Sequence, residues 1–212
     1  MRTLKKTQEE LINLLKTRNF PKEQIEFNER IVEFINSLTE DILNINKVDI
    51  DEIRTFLLTA ESLYLDYKGK EGPFDATPII FEFSKALERM LHDKISKHFN
   101  ELIPKYKNKD WSEDLKSFFK NLFKNKTISL GTWARILGDL DKKEIEPDAK
   151  EFMNILLSKY DKNNLSMIKS ACETLSKIRN PKSHYELLEM KEVINLRKKM
   201  VKHMNQVINI LF

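Results

Sequence analysis

Arg179 and His184 are the two residues of this chain whose types and spacing best fit a reaction. Four residues lie between them, Asn180, Pro181, Lys182 and Ser183. Histidine takes or gives a proton near neutral pH, whereas arginine stays cationic and grips a phosphate through a planar fork of donors. Together they supply the minimum chemistry for attack of an RNA 2'-hydroxyl on its adjacent phosphorus without a metal. A plainer use of the same residues stays open: a helix-terminal turn in which His184 satisfies backbone groups and Arg179 meets solvent or a carboxylate.

Other familiar chemistries are poorly supplied. His92, His98 and His203 sit in strongly charged stretches without metal-ligand spacing, so structural or exposed roles are expected of them. The sequence contains no His-Glu-x-x-His, no Gly-rich phosphate loop followed by Lys and Ser or Thr, and no Gly-x-Ser-x-Gly elbow. Cys172 is the single cysteine, which rules out an intrachain disulfide and disfavours a thiolate zinc site. Neither a metal nor another cofactor is expected.

The elements that must position the pair are helices. With 4 Gly and 6 Pro in 212 residues, 41% hydrophobic and 33% charged residues, the composition favours long helices over a many-stranded sheet. Apolar spacing predicts helices over about 6–18, 22–43, 50–67, 112–123, 129–140 and 147–159. Lys68-Gly-Lys-Glu-Gly-Pro73 is the strongest break and sets a soft boundary between an N-terminal helical region, 1–72, and a helical bundle, 73–212. Beyond it, Asp75 or Thr77 can cap a helix starting near Pro78. Ile80, Phe83, Leu87, Leu91, Ile95, Phe99 and Leu102 extend its apolar face for about six turns.

The motif falls between the last two predicted helices. One runs from about Asn164 to Ile178, burying Leu165, Ile168, Cys172 and Leu175; the other runs from about Glu189 to Leu211. Pro181 lacks a backbone donor and disfavours a helical Asn180, so a break is expected between Arg179 and His184.

In this setting, Arg179-Asn-Pro-Lys-Ser-His184 resembles the signature of the HEPN superfamily, helical domains named for higher eukaryotes and prokaryotes nucleotide-binding. In that family an arginine, usually followed by a polar residue such as asparagine, precedes a histidine with four to six residues between them. The likeness extends to an early helix with Phe83-Ser-Lys-Ala-Leu-Glu88, a middle segment Ser129-Leu-Gly-Thr-Trp-Ala-Arg-Ile-Leu137, and an amphipathic final helix. It covers about Phe74 to Phe212.

The resemblance implies an all-α, HEPN-like bundle with an additional N-terminal helical region. It implies a metal-independent endoribonuclease of toxin-antitoxin or antiviral defence, or else a non-catalytic nucleic-acid-binding or protein-interaction scaffold. On the enzymatic reading, Arg179 orients the scissile phosphate and His184 acts as general acid or base. Asn180, Lys182, Ser183 and Lys85 hold phosphate or RNA, with Glu88 in support. RNA is the implied substrate, a homodimer would build a composite active site, and an antitoxin or other defence-system protein is the implied further partner. Ser183 and Glu186 equally suit a capping box, and Lys85 and Glu88 an ordinary charged helix face. Tyr185 directly follows His184, one place short of the tyrosine in toxins paired with nucleotidyltransferases, which argues against that class.

The formal charge is +4. Seven Lys or Arg and three Glu between Arg179 and Asn205 concentrate the surplus near the C-terminal helices, as a solvated face or as a grip on an RNA backbone. The basic start, Met1-Arg-Thr-Leu-Lys-Lys6, leads into no signal-like apolar run and no membrane-length span appears, so cytoplasm is the default and no membrane partner is expected.

Overall fold

The computed structural model describes residues 43–67, 73–102, 112–141, 147–179 and 187–212. These form an all-α structure of seven α-helices: α1 Asp51–Tyr67, α2 Thr77–Lys94, α3 Glu113–Phe123, α4 Leu130–Gly138, α5 Pro147–Leu157, α6 Lys162–Ile178 and α7 Met190–Leu211. Short 3-10 turns cover Ile45–Lys47, Ser96–Leu102 and Asp139–Asp141. The two helices expected before residue 43, and the break at 68–72, lie outside the described residues.

Helix boundaries follow capping chemistry. Asp75 Oδ1 accepts the Thr77 N–H at 2.9 Å where α2 begins, relieving one orphan donor of the first turn. Ser129 Oγ does the same for Thr132 N–H at 3.2 Å at the head of α4, and Asp161 Oδ1 for Asn164 N–H at 2.7 Å at the head of α6. The last helix starts at Met190, with Glu192 Oε2 accepting the Glu189 N–H at 2.9 Å. Its capping box is therefore Glu189 and Glu192, downstream of Ser183 and Glu186.

The six-turn helix read from the apolar stripe is shorter than expected. The α-helix stops at Lys94 and the chain continues as the 3-10 turn Ser96–Leu102, yet Ile95 and Phe99 stay fully buried. No glycine or proline marks this point. The Lys94 carbonyl instead accepts the Tyr160 hydroxyl at 3.2 Å, a tertiary bond that removes the need for the next helical turn.

One core runs through all seven helices, with α1 packed along α2 and α6 against both α4 and α7. Phe99, Phe118, Phe152 and Trp133 form its aromatic centre. Phe99 stacks on Phe152 with centroids 4.3 Å apart, and Phe118 meets the Trp133 ring edge-on at 5.3 Å. Such pairs contribute about 0.5–1.5 kcal/mol beyond area burial.

A second device crosses from α1 to α7. Arg197 and Glu61, 2% and 1% exposed, form a fork in which Nη2 lies 2.8 Å from Oε2 and Nε 3.1 Å from Oε1. The guanidinium also lies 4.9 Å from the Tyr64 ring centre. Burial pushes the Glu61 carboxyl upward, opposed by the charge and hydrogen bonds of Arg197.

Phe74 and Leu188 exchange two backbone hydrogen bonds of 2.7 Å, an isolated antiparallel bridge. It ties the approach to α2 to the approach to α7, so both helices start at one end of the bundle. Among the described residues, no helix is long and apolar enough to cross a membrane.

Candidate functional site

Arg179 closes α6 as its C-cap residue, its N–H reaching back to the Leu175 carbonyl at 2.9 Å. The helix ends where the following Asn180-Pro181 pair predicts a break. From that position the guanidinium crosses to α2, placing Nη1 2.8 Å from Glu88 Oε1. It also lies 4.8 Å from the centre of the Phe81 ring.

Phe81, Lys85 and Glu88 share one face of α2 through spacings of four and three residues. Lys85 Nζ stands 4.8 Å from the Phe81 ring centre and 5.4 Å from that of Phe56, and pairs with Glu82 Oε1 at 2.8 Å. The Phe81 ring is thus bordered by two cations while 37% of the residue remains exposed. Arg179 and Lys85 can be no farther apart than the sum of their two distances to that ring.

Glu88 has a second partner. Its Oε1 accepts the Leu130 N–H at 3.3 Å, the first backbone donor of α4. A helix start concentrates unpaired N–H groups and partial positive charge, so a carboxylate is well placed there. One oxygen therefore joins three helices: α2 carries it, α4 donates to it from the backbone and α6 donates to it through Arg179. The first turn of α4 lies close to α6, since a Cβ on Gly131 would stand 3.4 Å from Ser176 Oγ.

Of the residues singled out in the sequence, Arg179 and Glu88 meet directly, and Lys85 joins them through Phe81. His184, Asn180, Lys182 and Ser183 lie outside the described residues. Arg179 Nε and Nη2 have no hydrogen-bond partner among the described residues, leaving donors for an anion. Phe81 and the Leu130 N–H were absent from the sequence reading. Phe81 did offer a signal: an aromatic four residues before Lys85 and seven before Glu88, on the polar side of an apolar stripe.

The remaining reactive groups lie elsewhere. Cys172 is fully buried in α6, and burial, with Glu88 and Glu173 adding to it, pushes its thiol far above the usual range. His98 is exposed, while His92 is 3% exposed with Nδ1 buried and without a hydrogen-bond partner among the described residues. Tyr64 packs in the core, and Tyr67 stacks on Phe74 at 5.2 Å while donating its hydroxyl to the Asp75 carbonyl at 2.8 Å. Among the described residues no cluster of three or more His, Cys, Asp or Glu could hold a metal ion. No family model matches the sequence, and neither a curated protein nor a solved structure matches the chain.

Proposed function

We propose that this protein is a metal-independent endoribonuclease acting on single-stranded RNA, used as a toxin or antiviral defence effector, with Arg179 and His184 as its catalytic residues. The observation that carries this reading is the clasp on Arg179. An ion pair and an aromatic ring fix its guanidinium at the start of the segment that holds His184, with Lys85 beside the same ring and two guanidinium nitrogens without a hydrogen-bond partner among the described residues.

The chemistry follows from those groups. A histidine base removes the 2'-hydroxyl proton, and the oxygen attacks the neighbouring phosphorus. The bond from phosphorus to the 5'-oxygen breaks, and that oxygen takes a proton from a histidine acid. The products are a 2',3'-cyclic phosphate and a 5'-hydroxyl. Arg179 meets the extra negative charge on the phosphoryl oxygens, where a preorganised cation has its largest effect. In a homodimer two copies of His184 could divide the acid and base roles, which is the reason to link activity to dimer formation. Asn180, Lys182 and Ser183 would hold phosphate within the same segment of sequence.

A non-catalytic reading has one observation in its favour: the Arg179 to Glu88 pair is also a sound way to pin the end of α6 to α2. On that reading the fold is a nucleic-acid-binding or protein-interaction scaffold, and an antitoxin or other defence protein would be its partner.

The test is cleavage of a panel of structured and unstructured RNAs in EDTA by wild type and His184→Ala, with end-group analysis. Cleavage that leaves cyclic-phosphate ends and disappears in the variant is expected. Salt-sensitive RNA binding without cleavage would transfer the conclusion to the scaffold, and equal cleavage by both proteins would remove His184 from the mechanism.

A further inference from the structure

The outer face of α7 is built of lysines and amides. No Asp or Glu occurs from Val193 to Phe212. Val193, Arg197, Met200, Met204, Val207 and Ile208 point into the core. On the opposite side, Lys191, Asn195, Lys198, Lys202, Gln206 and Asn209 follow one another at spacings of three or four, a straight stripe of lysines and amides. All except the half-buried Gln206 are exposed. Lys199 flanks this line, also exposed.

The stripe continues onto another element. Lys47, from the 3-10 turn Ile45–Lys47, donates its Nζ to Asn209 Oδ1 at 2.7 Å and adds a cation beyond the last helical lysine. Lys191, Lys199 and Lys202 form no ion pair with any described residue. From Lys191 to Lys202 the axial rise is about 16 Å at roughly 1.5 Å per residue, room for several successive phosphates of an extended strand.

The direction of the stripe matters as much as its charge. Leu188 is bridged to Phe74, so α7 starts at the end of the bundle where α2 starts and presents Phe81. Lys191 therefore stands at that end, and the stripe leads away from it. We infer that the outer face of α7, from Lys191 through Lys198 and Lys202 to Lys47, is the track for the backbone of a single-stranded RNA whose reacting phosphate lies at Arg179.

The identity of the RNA as substrate rests on the proposed function; the track itself does not need cleavage to exist. Charge complementarity selects a polyanion. The face carries no aromatic or large aliphatic side chain to insert among lipids, which sets it apart from an amphipathic membrane helix, while its amides add hydrogen-bonding groups suited to phosphate and sugar.

The experiment uses full-length His184→Ala, so that binding is measured without cleavage. Fluorescence anisotropy follows a labelled 20-nucleotide oligo-uridine across a salt series. Lys191→Gln, Lys198→Gln and Lys202→Gln together are compared with an equal charge loss on α3 and its C-cap, Lys116→Gln, Lys120→Gln and Lys124→Gln. The α7 triple should weaken binding at least tenfold, on the order of three lost phosphate contacts, and flatten the log–log salt slope by about 2, since each contact on a single strand contributes about 0.7. The α3 triple should change affinity less than twofold.

Equal loss in both triples, no effect of the α7 triple, or no RNA binding by the parent would overturn the track. So would an α7 triple that releases the chain from anionic vesicles while RNA binding is unchanged. The two readings fail separately. Wild-type cleavage with stripe-independent binding removes the track and keeps the enzyme; stripe-dependent binding without wild-type cleavage keeps the track and removes the enzyme.

Discussion

Arg179 is held by a carboxylate that is itself held by a helix. Glu88 Oε1 lies 2.8 Å from Arg179 Nη1 and 3.3 Å from the Leu130 N–H, so the charge that would compete with an RNA phosphate for Arg179 is partly satisfied by the start of α4. The pair can therefore orient the guanidinium without consuming all of its donors. On the proposed function, Glu88 would be a positioning residue, one step removed from the reacting atoms.

Glu88→Gln keeps the shape and removes the charge. Single-turnover RNA cleavage is expected to fall by about ten- to a hundredfold, the scale of a small misplacement at a reacting centre. RNA affinity should be equal or tighter, because a negative charge has left the site. The stability cost should be about 1 kcal/mol, at the low end for a hydrogen bond between charged groups because Arg179 is a third exposed. An unchanged cleavage rate in a folded variant would remove Glu88 from the site; weaker binding would show that its role is structural support alone.

The buried fork between Arg197 and Glu61 yields a prediction about stability. Glu61→Ala takes this carboxylate away from a guanidinium buried in the core, and urea unfolding should show a loss of about 3–5 kcal/mol. Glu61→Leu combined with Arg197→Met replaces both charges with apolar volume and should recover most of that loss. If the double variant is as unstable as the single, the pair is worth more than its desolvation cost, and the core depends on the ion pair itself.

That fork also marks how far the sequence could be read. Periodicity places six of the seven described helices, and the start of α2, to within a few residues, because each buries one stripe and the stripes are long. The same periodicity puts Arg197 between Val193 and Met200, and Glu61 between Leu57 and Tyr64, on core registers. Two opposite charges at core positions are a legible sign of a buried pair, although which helix meets which depends on tertiary packing. The end of α2 at Lys94 was not legible, since it depends on a hydroxyl 66 residues away. At the candidate site, the types of Arg179, Lys85 and Glu88 could be read, but the Leu130 N–H could not, because backbone donors carry no residue identity.

Cys172 should be chemically silent while the protein is folded. Its side chain is fully buried, and burial raises its thiol far from the thiolate form, the species that reacts. Thiol-disulfide reagents at neutral pH should give no labelling in native buffer and one thiol per chain in urea. Rapid native labelling would mean that α6 opens locally, and with it the platform that carries Arg179.

Acid should destabilise the fold in two steps. His92 and His203 are held below the usual histidine value of 6.5, chiefly by burial, with Lys199 and Lys202 adding repulsion at His203. Each has a buried Nδ1 with no hydrogen-bond partner among the described residues. A folded pKa below the unfolded one means that the unfolded chain takes up protons first, so stability is full above about 6.5 and declines as pH falls from there through the lowered values. Asp93 acts at lower pH: burial opposes its ionisation, but Lys97, with Nζ 2.6 Å from Oδ1, and Arg89, with Nε 2.7 Å from Oδ2, more than reverse that effect and hold the carboxyl below its usual 3.8. Its contribution is present above 3.8 and is lost as pH falls through the depressed value. Thermal melts should therefore show Tm falling from pH 7 to pH 5, with a further fall below pH 4. His92→Gln with His203→Gln should flatten the first fall and leave the second. A first fall of wild-type size in that double variant would assign the acid sensitivity to other groups.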